Sequence, residues 1–410
     1  MNAKSMISHL PSSDDLYSSP YRFVIMAVSL WVFFSIGVGI FVFSPITPVL
    51  LDGYGITRGF AGLLTGIVLG VQVLFALPAS MLIGRVRLKL VITVALILLG
   101  TMSLCILSDD MFFILCTRVA FGLGVAILFP CTAPLLMAWF APKELPLVNG
   151  LNITALTIGT TLTTVTVVPL SELLDWQAAV GLFGIIPVVG IGIWLGFGRV
   201  PEEAEAKQGN LSMRNLRKVL QSRVALLTAF GDAGPFAQYT VLTAWLPAFY
   251  FEVHGLSLAA AGIVVGILPL MGMIVVPIAS VLSLRFTRTR PILIVSGVLA
   301  GIAGFGTFVF AGTPLVYPAL ILVGIGSWLY LPSLMSIPMA QPNARPEEVS
   351  AIFAVIMSVG GGMTFLAPLV VGAVADLLGT YIPGFTIFAV FAWTLVISGV
   401  FLPESNVKPL

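Results

Sequence analysis

The sequence predicts an all-α membrane protein in which twelve transmembrane helices form two six-helix bundles. Three observations predict this fold class: a composition poor in charge, twelve long apolar runs, and an internal repeat. The 410 residues are 59% hydrophobic and only 9% charged, whereas a soluble domain carries about 25% charged residues. Charge this sparse leaves too little polar surface for a water-soluble globule, so lipid is the expected solvent for most of the chain.

Twelve apolar runs are long enough to cross a bilayer, since a spanning helix needs about 20 mostly apolar residues. Their hydrophobicity is continuous rather than alternating, which predicts helices, because lipid-facing backbone must form its hydrogen bonds within its own segment. The predicted spans are 23–51, 59–83, 89–107, 111–139, 147–170, 177–198, 224–250, 258–283, 291–311, 317–339, 349–375 and 383–402. They give a first bundle over 23–198 and a second over 224–402, joined by a linker over 199–223, with tails over 1–22 and 403–410.

The basic residues predict the orientation, because cytoplasmic loops are enriched in Lys and Arg. With the N-terminus inside, all but two of the 19 basic residues fall on the inside; Arg58 lies in an outside loop and Arg118 within a span. We therefore expect a multi-pass protein of the plasma (inner) membrane with both termini in the cytoplasm. Basic residues beside the membrane can contact anionic lipid, although topology signalling is the simpler explanation.

Several classes of function are excluded by what the chain lacks. There is no GxxxxGK phosphate loop, no HExxH and no GxSxG, and only two histidines occur, so we expect neither an enzyme nor an ATPase. The cysteines Cys105, Cys116 and Cys131 lie in apolar runs and indicate neither a disulfide framework nor a metal site. The basic residues form no stripe for nucleic acid. No cofactor and no metal are expected.

The two halves of the chain read as copies in the same orientation. Matched positions at offsets of 199 to 202 run in order through the halves: Pro48 with Pro247, Gly55 with Gly255, Gly62 with Gly262, Gly66 with Gly266, Pro78 with Pro277, Arg85 with Arg285, Gly122 with Gly324, Gly124 with Gly326, Gly159 with Gly360, and Asp175 with Asp376. Coincidence does not produce an ordered series of this length. A repeat in the same sense predicts halves related by an axis along the membrane normal.

Two motifs resemble those of the major facilitator superfamily, and the resemblance covers essentially the whole chain. Arg118 is followed by glycines four and six residues later, which is similar to the fourth-helix motif of that family. The loop after the second span is similar to the family's inside-gate signature, but Gly84 stands where the usual acid would be and Arg87 where the usual glycine would be. By this resemblance the residues of the cytoplasmic gate are Arg85, Lys89, Arg285 and Arg288.

A third stretch is similar to the cyanate and nitroimidazole transporter branch of this family. It runs from Ala244 through Trp245, Leu246 and Pro247 to Tyr250, and is followed by Glu252 and Gly255. Members of that branch take up small anions or export small aromatic compounds. A dozen residues support a branch without naming a substrate.

The resemblance implies a secondary active transporter that moves a small organic anion or another small organic compound by alternating access. We expect coupling to protons, and a monomer that works without a further protein. Two alternatives stay open. The chain could be an uncoupled facilitator or exchanger, or, because its inside gate is degenerate, a transporter-like sensor or a lipid-moving protein.

Two ionisable residues fall well inside predicted spans, namely Asp232 and Arg118. A charge at the bilayer centre costs at least about 2.5–3.5 kcal/mol, so it persists where it faces a bundle interior, a partner or water. Asp232 lies about 13 Å from its helix start at 1.5 Å per residue, near the middle of a core about 30 Å thick. Glycines and a proline surround it, which predicts a weakened helix. A carboxyl held in low dielectric suits a proton carrier.

Arg118 has two open interpretations. It takes part in coupling or in binding an anionic substrate, for which the planar guanidinium is suited, or it is a structural cation that binds carbonyls or a carboxylate. Tyr239 shares a helix face with Asp232 at helical spacing, and we expect it to face the same cavity. Further cavity candidates are Gln72, Asn152, Trp328 and Tyr330.

Overall fold

A computed structural model describes residues 17, 19–83, 86–141, 144–201, 222–285, 288–338 and 346–402. Every regular element in these ranges is a helix, and together the helices form twelve long segments that follow the twelve predicted spans. Four segments are interrupted within their length: the first, the eighth, the tenth and the twelfth. In addition, the third segment ends in a 3-10 helix.

We label the segments α1 to α12. The first bundle has α1 (Tyr21–Ile40 and Thr47–Tyr54), α2 (Arg58–Ile83), α3 (Leu88–Gly100 and the 3-10 helix Thr101–Leu107), α4 (Met111–Trp139), α5 (Leu145–Leu174) and α6 (Trp176–Phe197). The second has α7 (Arg223–Glu252), α8 (Leu258–Val265 and Ile267–Arg285), α9 (Arg290–Val309), α10 (Val316–Leu329 and Leu331–Ser336), α11 (Pro346–Leu378) and α12 (Ile382–Phe391 and Thr394–Phe401).

Eleven candidate membrane spans occur in the described ranges, judged by length and apolar composition. The α7 helix is not among them, although its 30 residues extend about 45 Å at 1.5 Å per residue. It carries Asp232, Gln238 and several threonines, and most of its side chains are buried inside the protein. A helix enclosed by other helices does not need an apolar surface, and this explains how α7 completes the second bundle.

The packing of the two bundles follows the same scheme. In the first, α1 packs on α5 and α6, α4 packs on α2 and α3, and α3 packs on α6. In the second, α7 packs on α11 and α12, α10 packs on α8 and α9, and α9 packs on α12. Each helix therefore has the same neighbours as its counterpart six helices later, as the repeat in the sequence predicts.

The matched glycines lie where helices approach most closely. A Cβ atom on Gly124 would stand 2.7 Å from the carbonyl oxygen of Ala95 in α3. Its counterpart Gly326 shows the same crowding, since a Cβ atom there would stand 2.6 Å from the backbone nitrogen of Ala300 in α9. Small residues at such crossings let the backbones approach, which is how helices associate in lipid.

Two seams join the bundles, one between α2 and α11 and the other between α5 and α8. A Cβ atom on Gly62 would stand 2.5 Å from the carbonyl oxygen of Pro368, and one on Gly262 would stand 2.8 Å from that of Thr164. The repeat therefore places a glycine at the equivalent point of both seams. Backbone approaches backbone at this point of each seam. Elsewhere along the seams side chains pack into glycine notches, as Phe365 does against Gly70 and Val165 against Gly266.

We expect Gly62→Ala to lower the midpoint of thermal unfolding in detergent, because its methyl group collides with the Pro368 carbonyl across the seam. Overpacking of this kind costs about 1–3 kcal/mol. The matched control is Gly196→Ala in α6, where a Cβ atom meets nothing within 4 Å. An equal midpoint for the two variants would show that the α2–α11 seam is not close-packed.

Candidate functional site

The candidate site lies along the contact between α7 and α10, and its first part is a buried carboxyl bonded to a phenol. Asp232 is only 4% exposed and Tyr330 is fully buried. Tyr330 stands at the break between the two pieces of α10, and its hydroxyl donates to Oδ1 of Asp232 at 2.9 Å. The structure thus brings together two residues that the sequence analysis singled out separately. We call this pair the acid rung.

The α7 helix is continuous through Asp232, so the weakened helix predicted there is not observed. The glycines instead serve packing against α12. A Cβ atom on Gly234 would collide with the backbone of Phe391, and one on Gly231 would stand 2.8 Å from Cβ of Ser398. Packing against α12 therefore accounts for these two glycines, whose low helix propensity predicted a weakened helix.

Gly360 of α11 leaves room for the carboxylate of Asp232. A Cβ atom on Gly360 would stand 2.9 Å from Oδ2 of Asp232. Within the described ranges the ion pairs are Arg22–Glu144, Arg58–Glu252 and Arg58–Asp376, so none involves Asp232. The carboxyl is therefore held by a neutral hydroxyl and a glycine surface, and it keeps its capacity to bind a cation or a proton.

A second, aromatic rung lies on the same two helices. Tyr239 is seven residues beyond Asp232, which is about 10 Å along the helix. Its ring meets Trp328 of α10 edge-on at 5.2 Å between centroids, and Phe41 of α1 at 6.2 Å. The indole Nε1 of Trp328 is buried and has no hydrogen-bond partner among the described residues. We call the acid rung and this aromatic rung together the α7–α10 strip.

Arg118 is completely buried in the first bundle and binds backbone carbonyls. Its Nη1 and Nη2 donate to the carbonyl oxygens of Gly39 and Ile40 at 2.6 and 2.8 Å, and its Nε donates to that of Leu64 at 2.9 Å. Phe43 and Phe121 lie over the guanidinium with ring centroids 5.2 and 5.4 Å from Cζ. This geometry fits the structural interpretation: Arg118 ties α4 to α1 and α2.

The break in α1 also contacts the second bundle. Residues 41–46 form turns rather than helix, and the hydroxyl of Ser44 donates to the carbonyl oxygens of Thr243 and Ala244 in α7. Pro247 has no N–H, so it leaves the carbonyl of Thr243 without its usual partner in the helix. Ser44 supplies the missing donor, and this bond joins the two bundles.

Four residues close one end of the molecule, and we call them the Arg58 latch. Arg58, at the start of α2, pairs with Glu252 of the second bundle at 2.8 Å and with Asp376 at 3.7 Å. Its Nε donates to the Tyr381 hydroxyl at 2.9 Å, and that hydroxyl donates to Glu252 at 3.1 Å. Asp376 also accepts from the backbone N–H groups of Arg58 and Gly59. A carboxylate from one bundle thus caps a helix of the other.

Burial raises the pKa of Tyr381, and the neighbouring Glu252 carboxylate raises it further. The phenol therefore stays protonated, as its bond to Glu252 requires. The Arg58 latch was not predicted from the sequence, because basic residues in loops ordinarily signal membrane topology. The available signal was Arg58 itself, the single basic residue on its side of the membrane in the predicted orientation.

The remaining predicted residues lie apart from the α7–α10 strip. Gln72 is half-buried in α2. Asn152 is buried within the first bundle, where its Oδ1 accepts from Ser29 of α1 at 2.9 Å. Of the predicted gate, Lys89 and Arg288 are exposed at the end opposite the latch. Arg85 and the side chain of Arg285 lie outside the described residues.

Comparison with known sequences gives one family. The chain matches the model of the Major Facilitator Superfamily over residues 30–368. It is 24% identical over 287 residues to an uncharacterized protein of Campylobacter jejuni, a match that covers 69% of this chain and 89% of that one. It is 23% identical over 306 residues to "Probable anion transporter 6, chloroplastic" of Arabidopsis thaliana, covering 68% of this chain but only 56% of the plant protein.

Solved structures of the same architecture include two kinds of transporter. The nucleoside transporter NupG superimposes with a TM-score of 0.73 at 12% identity, covering 93% of this chain and 98% of that one. A bacterial homolog of the human lysosomal transporter Spinster, inward-facing and occupied, gives 0.70 at 16% identity, covering 94% and 96%. At these identities the likeness establishes the fold alone.

We expect Arg118→Lys to lower the stability of the protein, because one ammonium group cannot reach the three carbonyls that the guanidinium binds. Hydrogen bonds to a charged group contribute about 1.5–3 kcal/mol each, so the loss should be about 3 kcal/mol, measured as the unfolding midpoint in detergent. Arg199→Lys, at the end of α6 and over the ring of Tyr21, is the matched control. An Arg118→Lys protein of unchanged stability but impaired transport would contradict the structural interpretation.

We expect Arg58→Gln to increase the population that is open at the latch end. Exposed ion pairs contribute about 0.2–1 kcal/mol, and 1 kcal/mol corresponds to about a five-fold shift in population. The measurement is the labelling rate of Ala244→Cys, a buried position, by a membrane-impermeant maleimide in proteoliposomes of a protein otherwise free of cysteine.

The control for this experiment is Arg22→Gln. Arg22 pairs with Glu144 inside the first bundle, so its loss leaves the contact between the bundles unchanged. If both substitutions accelerate labelling equally, or neither does, the Arg58 latch does not hold this end closed.

Proposed function

The chain belongs to the major facilitator superfamily, and from that premise we propose that it is a secondary active transporter. It moves a small solute across the cytoplasmic membrane by alternating access and couples this movement to protons. The observation that carries the proposal is the acid rung: a buried carboxyl on α7 that pairs with no cation among the described residues. Membrane transport follows from the family, while the coupling rests on Asp232.

The contacts between the bundles support alternating access. The α2–α11 and α5–α8 seams bring the bundles together along two pairs of helices that are equivalent in the repeat, with a glycine against a carbonyl oxygen in each. Two equivalent seams suit a rocking movement of one bundle against the other. The Arg58 latch and the Ser44 bond hold one end closed in the conformation described here. Both are hydrogen-bonded contacts between bundles, and such contacts form and break as units when rigid bodies rock.

Asp232 supports proton coupling through its surroundings. The titratable group that faces it among the described residues is Tyr330 of α10, while α11 presents Gly360 and α12 presents Thr394 and Ser398 near the adjacent glycines. With no basic residue recorded beside it, protonation is the way in which its charge is neutralised in the closed protein. A carboxyl that is neutral when closed and charged when hydrated carries one proton per cycle.

The orientation and the opposite gate complete the proposal. With the N-terminal tail, the 199–223 linker and the C-terminal tail in the cytoplasm, the latch end faces outward. Arg85, Lys89, Arg285 and Arg288 then lie at the cytoplasmic end, where they form the second gate. The protein works as a monomer whose only further partners are lipid, the solute and protons.

A second candidate function keeps the transporter and specifies an anionic solute. The name of the Arabidopsis relative favours an anion, and so does the resemblance of residues 244–255 to the cyanate and nitroimidazole branch. On this alternative the chain is a carrier of small organic anions, and Arg118 is its only basic residue at mid-membrane depth.

We expect Asp232→Asn to abolish solute-driven proton movement, because the amide has the shape of the carboxyl but does not take up a proton. The measurement is a pH-sensitive dye inside liposomes after a pH jump, with a solute identified by thermal-shift screening of small anions, nitroaromatics and amphipathic compounds. Tyr330→Phe should slow the proton movement without abolishing it. Asp109→Asn, at an exposed loop position, is the matched control, and normal coupled flux in Asp232→Asn would remove Asp232 from the mechanism.

A further inference from the structure

The two ionisable side chains deep in the spans differ in how free they are to bind a ligand. Arg118 and Asp232 are the ionisable residues deep in the spans, with opposite charges in their ionised forms. All three guanidinium nitrogens of Arg118 already donate to carbonyl oxygens, and two aromatic rings lie over its plane. Asp232 is bonded only to a neutral phenol in the described part of the chain. Among the described residues at this depth, the charged group left for a ligand is therefore the Asp232 carboxylate, while the Arg118 guanidinium is engaged by the protein.

The aromatic rung adds a surface that prefers the same sign of charge. The faces of Trp and Tyr rings attract cations through the ring quadrupole, most strongly where water is excluded. Tyr239 stands about 10 Å of helix rise beyond Asp232 on α7. Its ring and those of Trp328 and Phe41 are all at most 6% exposed. The indole Nε1 of Trp328 has no partner in the described ranges, so it can donate to a polar group on a bound molecule.

We propose that the α7–α10 strip binds a small organic cation that carries a flat apolar or aromatic group. The ammonium group of this solute pairs with Asp232, and its flat part lies against Tyr239 and Trp328. This inference rests on the proposed function and names its substrate class. It disagrees with the anionic solute considered above, because an anion brought to this centre would meet the Asp232 carboxylate and find no unbound guanidinium.

A cation at Asp232 also specifies the coupling mode. The solute and the proton use the same carboxylate, so only one of them is bound at a time. After the cation is released on one side, the protein returns to the other side with a proton on Asp232. The cation and the proton therefore move in opposite directions, which is antiport. The net charge of the α7–α10 strip is the same whether Asp232 holds the cation or a proton. The buried carboxylate is therefore neutralised in both directions of the cycle.

The experiment compares two probes of similar shape and opposite charge, benzyltrimethylammonium and phenylmethanesulfonate, by isothermal titration of the purified full chain in nonionic detergent. We expect benzyltrimethylammonium to bind with a Kd in the millimolar range or tighter, more weakly in mildly acidic than in mildly alkaline buffer. Asp232→Asn should weaken this binding by at least about ten-fold, whereas Asp232→Glu retains most of it. Trp328→Phe should weaken it by a few-fold at most, because phenylalanine keeps a ring but loses the N–H donor.

The outcomes separate this inference from the proposed function. Asp109→Asn, an acid removed from an exposed loop, should bind like the unaltered chain. The inference is overturned if phenylmethanesulfonate binds as tightly as the cation, if Asp232→Asn leaves cation binding unchanged, or if no cation binding is detected up to about 10 mM. If solute-driven proton movement still depends on Asp232 in that case, the proton-coupled transporter stands and only the substrate class fails.

Discussion

The structure depends on one constraint: backbone groups released by a broken or proline-bearing helix must find partners inside the protein, because lipid offers none. The break in α1 releases the carbonyls of Gly39 and Ile40, and Arg118 binds both. Pro247 releases the carbonyl of Thr243 in α7, and Ser44 binds it from the other bundle. These bonds let irregular backbone exist where the two bundles meet, and a regular helix there would leave no turn to contact the opposite bundle.

The same constraint explains why the contacts within a bundle differ from the contacts between the two bundles. Inside the first bundle, Arg118 connects α4 to α1 and α2 through a charged group that is fully buried, so separating these helices would expose a cation to lipid. Between the bundles the contacts of the described residues include glycines against carbonyls, the hydroxyl bond of Ser44, the ring contact of Phe41 with Tyr239 and the partly exposed Arg58 latch. Under the alternating access proposed above, the bundles move against each other at this boundary.

The fold was predictable because its signals lie in the chain itself. Continuous apolar runs specify the spans, and the ordered glycines specify the repeat, since pairs such as Gly62 with Gly262 and Gly124 with Gly326 mark backbone approaches that both bundles share. The site was predictable only in part. Tyr239 and Asp232 share a face of α7 by spacing, but the bond from Tyr330 depends on how α10 breaks and crosses α7. The partners of Arg118 were unpredictable for a similar reason, since the turns at 41–46 interrupt an apolar run that reads as one continuous helix.

The assignment of Arg118 determines what the centre of the molecule can recognise. Read from the sequence, Arg118 and Asp232 are two opposite charges in one cavity, which suits an anion as well as a cation. Once three of its five N–H groups are bound to carbonyls and two rings lie over its plane, the guanidinium still contributes its charge to the local potential, but it is engaged mainly by the protein. A carboxyl on α7 beside buried aromatic rings then defines the chemistry of the site. Under the substrate class proposed above, the group that stabilises the irregular backbone of α1 leaves recognition of the solute to α7 and α10, which carry Asp232, Tyr239 and Trp328.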